Sequence, residues 1–278
     1  MPAVAERPDR EGGAPGAIPG GRGRMAQVAG RIAFGGAYTT CLLAAWEALV
    51  RVLSIPDYLL PGPWTIFQAS GGRLGALASN TLVTVQEILA GFVLGAGLGA
   101  ALAVAISLIA PLRTVLLPTL VALQSVPKVA LAPLMVVWLG IGIAPRVAMA
   151  ALFCFFPVLI NTLAGLTKVE PTMVELAVVL RATPWQQFRK IALPHSLPYL
   201  FDGMKIAMPL AVVGAIVGEF TSAERGLGNL ILVASSQVNT PLIFAGLFAI
   251  TVVALILFGA IQILERIAVP WSVEYRKA

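Results

Sequence analysis

Three stretches of this chain, residues 88–112, 147–167 and 226–264, contain no Asp, Glu, Lys or Arg. Each exceeds the roughly 18 apolar residues at which a helix reads as crossing a bilayer. Composition agrees: 12% of residues are charged and 58% hydrophobic, with a mean hydropathy of +0.90. A soluble domain carries about 25% charged residues, so half that value points to lipid rather than to a larger core. The net charge of +6 does not indicate nucleic acid. Its basic residues sit mostly between the apolar runs, where a membrane orientation signal belongs.

The pattern predicts an all-α membrane protein of about six transmembrane helices, over residues 32–53, 82–110, 115–142, 146–168, 197–220 and 242–267, each near the length that crosses about 30 Å of hydrocarbon. The first is the least apolar, carrying Glu47 and Arg51, four apart and so able to pair on one helix face. The second contains Gly91, Gly95 and Gly99 at four-residue spacing. Such a stripe lets helices approach closely, for packing within the chain or for dimerisation. The third is interrupted by Pro118, Pro127 and Pro133 and holds Lys128. Broken backbone at membrane depth survives only when packed in protein or lining a water-filled path, so this span is the expected pore lining.

Residues 1–31 read as a disordered tail: the first 24 are rich in Gly, Pro, Arg and Ala and contain no apolar core of a signal peptide. Residues 32–270 form the membrane domain and 271–278 a short polar tail. Six crossings with both ends in the cytoplasm place Arg7, Arg10, Arg22, Arg24, Arg31 and Arg113 inside. They also place there the basic residues of 168–190 and of 266–277, leaving Arg51, Arg73, Arg146 and Arg225 outside. The expected location is a bacterial cytoplasmic membrane.

Between the fourth and fifth spans lies a segment too charged to cross and too patterned to be a linker. Pro171 suits a first helical position, and Leu176, Val179 and Leu180 recur at helical spacing. Thr183-Pro184-Trp185-Gln186 then reads as a second helix start, with a capping box between Thr183 and Gln186. Trp185, Phe188 and Ile191 or Ala192 form its apolar side, and Pro194 is expected to end it. Two helices of about ten residues are not stable alone. They need the membrane interface, the rest of the chain or a partner's groove.

Glu175-Leu176-Ala177, Gln187-Phe188, Ile191-Ala192-Leu193-Pro194, Pro198 and Gly203 together resemble the EAA loop of binding-protein-dependent ABC importer permeases. Further matches are similar to the nitrate, sulfonate and taurine branch of that family: Leu60-Pro-Gly-Pro63, Gly91-Phe92, Ser125-Val-Pro127, Ala132-Pro133, Trp138-Leu-Gly140, Gly218-Glu219 and Gly226-Leu-Gly228. The similarity spans roughly residues 57–271. It implies coupling helices at 171–193 that dock on ATP-binding cassette ATPase subunits, with Glu175, Leu176, Ala177, Arg181, Ala182, Gln187, Phe188, Leu193 and Pro194 as the coupling residues. It also implies a second permease subunit and an extracytoplasmic solute-binding protein. The sequence departs from the family pattern at Leu176, usually Ala, and at Arg181, usually Gly, which puts the turn between the two helices in question.

No Lys follows a Gly, so the phosphate-cradling GxxxxGK[ST] loop is missing and ATP must be hydrolysed elsewhere. No HExxH, GxSxG or Cys/His cluster marks an enzyme, and no cofactor is expected. Cys41 and Cys154 lie in apolar runs and read as small packing residues; His195, beside prolines, reads as structural. Lys128, Gln124 and Glu219 are the candidates for the translocation path, since ionisable groups inside a membrane usually face a bundle interior or a cavity. Glu219 serves either an outer gate or helix pairing. Asp202 and Lys205, three apart, are expected to pair. The resemblance implies a nitrate-, sulfonate- or taurine-like anion as solute, with thiamine-pyrimidine precursors and riboflavin-type solutes as the alternative.

Overall fold

The structure, a computed structural model, describes the backbone of residues 21–109, 116, 118–120, 122–222 and 224–271, with side chains from residue 36 onward. Every regular element among these residues is a helix. The chain divides into two units, residues 1–54 and 55–278.

The first unit is built on α1 (Gly21–Val52). Helix therefore begins about ten residues inside the stretch expected to be a disordered tail; residues 1–20 lie outside the described ones. After Pro19 no proline occurs until Pro56, and Ala, Met, Gln and Arg are good helix formers. Glu47 and Arg51 pair at 2.6 Å, as their spacing required. Cys41 is exposed on this helix rather than packed.

The second unit carries α2 (Pro63–Gly71), α3 (Leu74–Leu108), a 3-10 turn (Lys128–Leu131) leading into α4 (Ala132–Leu139), α5 (Ile143–Thr167) and α6 (Pro171–Val179). It continues with α7 (Pro184–Gln187), a π-helical turn (Phe188–Ala192), α8 (Leu193–Ser222), α9 (Leu227–Ser236) and α10 (Thr240–Ala268). Among the described residues, four helices are long and apolar enough to cross a membrane: α3, α5, the continuous helix Pro184–Ser222, and α10. A fifth crossing is broken, because Pro118–Gln124 and Lys128–Leu139 meet at 84°. Pro127 removes a backbone donor at the bend and biases Val126 away from helical geometry, whereas Pro133 falls in the first turn of α4, where it is tolerated. The span expected over 32–53 falls on α1, which is not among these helices. The sequence reading passed over α2 and α9, both short.

Helix α5 is the centre of the unit. Its Met149, Ala150, Cys154, Val158 and Leu159 have no exposed surface. Stripes of glycine approach it from both sides. On α3, Gly91, Gly95 and Gly99 lie against the α5 backbone; a Cβ on Gly99 would stand 2.7 Å from the Phe155 carbonyl oxygen. On α8, Gly214 and Gly218 lie equally close, a Cβ on Gly214 meeting the Met149 oxygen at 2.7 Å. The four-residue glycine spacing thus serves packing within the chain. In lipid, where burial supplies no driving force between helices, such close backbone approach is what holds them together.

Candidate functional site

The segment joining α5 to α8 folds as a helical hairpin whose every turn is specified locally. Helix α6 opens with Pro171 at its first position, where the missing N–H costs nothing. It closes with a Schellman motif: the Ala182 N–H donates to Ala177 O and the Arg181 N–H to Val178 O, both at 2.9 Å. The residue that must turn left-handed is Arg181, at φ 53°. Arg181 therefore adopts the conformation that the family's glycine would favour, and the turn is kept.

The second helix starts at the expected capping box. Thr183 Oγ1 accepts the Gln186 N–H at 3.3 Å, and Gln186 Oε1 accepts the Thr183 N–H at 2.9 Å. The Gln187 amide donates to Ala182 O at 3.1 Å, fastening the helix to the turn behind it. Pro194 does not end this helix. The chain passes from α7 through a π turn into α8 without a break, the Leu193 N–H reaching back five residues to Phe188 O. A π turn widens the helix, which relieves the clash between a proline ring and the carbonyl four residues earlier.

One side of the hairpin faces the bundle. Ala177 is 4% exposed. Phe188 and Ala192 pack against the cluster of Ile106 on α3 and Phe156, Leu159 and Leu166 on α5, and Trp185 stacks on Phe188 at 5.6 Å between ring centroids. A cavity of about 340 Å³ remains between Ser107 and Thr167 on the bundle and Val174 and Gln187 on the hairpin. His195 anchors the start of α8 through a 2.9 Å hydrogen bond to Gly165 O, the structural role expected of it.

The other side faces away. Glu175 is exposed, as are Leu176, Val179, Leu180 and Trp185, with Val179 at 78%. The apolar residues that recur at helical spacing, Leu176, Val179 and Leu180, thus all point outward. Among the coupling candidates, Glu175, Leu176 and Arg181 are exposed. Ala177, Ala182, Gln187 and Phe188 secure the fold of the hairpin, and Leu193 and Pro194 form its junction with α8.

The path candidates do not come together as a group. Gln124 ends the helix before the 84° bend and is exposed. Lys128 starts the helix after it, its Nζ 4.8 Å from the Phe156 ring centroid and 5.8 Å from that of Phe153. Glu219 is fully buried, its Oε1 accepting the Thr84 hydroxyl at 2.6 Å and its Oε2 the Gly228 N–H. These bonds tie α8 to α3 and to the start of α9 at the end of α8 remote from the hairpin. Three further ion pairs lie among the described residues of the bundle: Arg146 with Glu87, and Lys205 with Asp202 (2.9 Å) and with Glu265 (2.8 Å). Glu87, Arg146 and Glu265 were missed in sequence. Glu87 and Arg146 each flank a charge-free run, so they read as interfacial charges; only the register of α3 against α5 reveals that they meet.

Residues 91–270 match the family described as binding-protein-dependent transport system inner membrane component. The chain belongs to that family. This permease is 37% identical over 235 residues to a riboflavin transport system permease protein of Chloroflexus aurantiacus, covering 83% of this chain and 87% of the relative. It is 36% identical to a formylaminopyrimidine transport permease protein of Halalkalibacterium halodurans, covering 83% and 92% of the two chains. A putative aliphatic sulfonates transport permease protein of Bacillus subtilis is 30% identical, over 84% and 86%. The all-α membrane fold and the importer-permease family therefore stand on the same residues, and the hairpin lies within the matched range.

Proposed function

We propose that this ABC importer permease works as one of a pair in the cytoplasmic membrane, both termini inside, and that its 171–193 hairpin is the contact with the ATPase subunits. The observation that carries this reading is a hairpin whose turns are fixed by local hydrogen bonds yet whose apolar face stays exposed among the described residues of its unit. Leu176, Leu180 and Trp185 remain more than half exposed around Glu175, which suits an amphipathic helix waiting for a groove. Behind that face the helix runs unbroken for 39 residues, from Pro184 to Ser222. At 1.5 Å per residue this is a lever about 60 Å long. Closure of the ATPase pair moves the hairpin, and the lever tilts the bundle around the broken span at Lys128, opening the path to a solute delivered by an external binding protein.

The solute we infer is a small planar heterocycle of pyrimidine or flavin type. The relatives that transport riboflavin and formylaminopyrimidine, at 37% and 36% identity, support it over the sulfonate permease at 30%.

The decisive experiment is Glu175→Lys in the full assembly. Because Glu175 is exposed and outside the bundle packing, the variant is expected to fold and insert normally while losing at least tenfold in ATPase co-purification and in uptake. Undiminished association and uptake in Glu175→Lys would remove the docking role from this face.

A further inference from the structure

Four helices converge on a buried polar cluster at the end of α8 remote from the hairpin. Glu87 of α3 and Glu219 of α8 have no exposed surface, and Glu219 bonds Thr84, one turn before Glu87 on the same face of α3, so the two carboxyl groups share one buried site. Arg146 of α5 pairs with Glu87 Oε1. Glu219 takes the Thr84 hydroxyl and the Gly228 N–H. Glu87 Oε2 is buried with no N–H or O–H donor against it among the described residues.

The charges do not balance. Two carboxyl groups face one guanidinium, and among the described residues no other charged side chain pairs with them. Helices α4 and α9 contain no titratable residue, and Glu224 and Arg225, in the bend after α8, are exposed. Lys205 and Glu265 pair with each other; Lys205 lies fourteen residues back along α8, about 20 Å away. An unbalanced charge buried between membrane helices is expensive. Two ionised carboxylates are acceptors only, so they repel and cannot hydrogen-bond to one another.

One proton resolves all three conflicts. It removes the excess charge, gives the orphaned oxygen of Glu87 a donor, and turns repulsion into a hydrogen bond. We propose that Glu87 and Glu219 form a binding site for a single proton, held between the two carboxyl groups, which fastens α3 to the turn between α8 and α9. The neighbouring contacts serve the same junction: Asn80 Oδ1 accepts the Gly226 N–H at 2.7 Å, and Thr84 Oγ1 accepts the Leu227 N–H at 2.8 Å. Gly226, at φ 127°, lets the turn press directly on the Glu219 carboxyl, where a side chain would not fit. This site stands independently of how solute is recognised.

The test uses the full-length permease in lipid nanodiscs. Infrared spectra of the wild type at neutral pH are expected to show a protonated-carboxyl C=O band. Both Glu219→Gln and Glu87→Gln should lose it, since the amide then supplies the hydrogen bond without a titrating proton. Thr84→Val, which loosens the junction but leaves the proton, should keep it. Because the folded protein holds one proton more than the unfolded chain, wild-type stability should decline as pH rises from the ordinary Glu value of about 4.3, by about tenfold in the folding equilibrium per pH unit, until the folded site releases its proton. Glu219→Gln should flatten that decline. A wild type without the band, a band that survives both Gln variants, or an unchanged pH slope in Glu219→Gln would each overturn the site.

Discussion

Arg181 sits at φ 53° in the hairpin turn, a region where a side chain costs roughly 1 kcal/mol and glycine costs nothing sterically. The Schellman bonds from Arg181 and Ala182 over-determine the turn and hold the arginine there. Glycine at this position relieves the strain but widens the unfolded ensemble, two effects of similar size and opposite sign. Arg181→Gly is therefore expected to change stability by less than about 1 kcal/mol, read from thermal unfolding, and to leave ATPase pull-down intact. Arg181→Val places a β-branched residue in the same region, where it is a true outlier, and is expected to cut ATPase pull-down at least tenfold. From sequence the substitution of the usual glycine put the turn in question, because a single residue type reports its preference and not the hydrogen bonds that overrule it. The capping box was legible for the opposite reason: Thr183 and Gln186 satisfy each other within four residues, with no help from the rest of the fold.

At the scale of elements, glycine on α3 has two opposite meanings separated by two residues. Gly95 and Gly99 abut the α5 backbone, while a Cβ on Gly97 meets nothing within 4 Å. Gly99→Val is thus expected to force α3 off α5, at a cost of about 3 kcal/mol or more, seen as a lower unfolding midpoint and poor recovery in detergent. Gly97→Ala is expected to raise stability by up to about 1 kcal/mol, since it only removes backbone freedom from an open helix face. The four-residue spacing announced a packing stripe, but nothing in one chain's sequence says which helix receives it. The same limit hid the Glu87–Arg146 pair. Pro194 failed as a stop signal because a π turn absorbs its ring, a remedy that depends on α8 being held in place by its packing on α5.

At the scale of the molecule, the apolar runs placed four crossings and the broken one, and they left the short helices α2 and α9 unseen because neither is long enough to stand out by hydropathy. What hydropathy cannot convey is that the second helix of the hairpin and the fifth expected span are one helix. That continuity carries a mechanical consequence. The hairpin is anchored to the bundle by Phe188 and Ala192, and it continues into α8 through the backbone between Ala192 and Leu193. Inserting two glycines between Ala192 and Leu193 leaves the capping box, the Schellman turn and the inward anchors in place, so ATPase subunits should still co-purify at near wild-type yield. Glycine in a helix interior costs about 1 kcal/mol each and introduces a hinge, so the lever should bend there instead of tilting the bundle. The expected phenotype is ATP hydrolysis that persists while solute uptake into proteoliposomes falls at least tenfold. Uptake that survives the hinge would mean that force enters the bundle through the packed face of Phe188 on α3 and α5, and that the unbroken helix is incidental to transport.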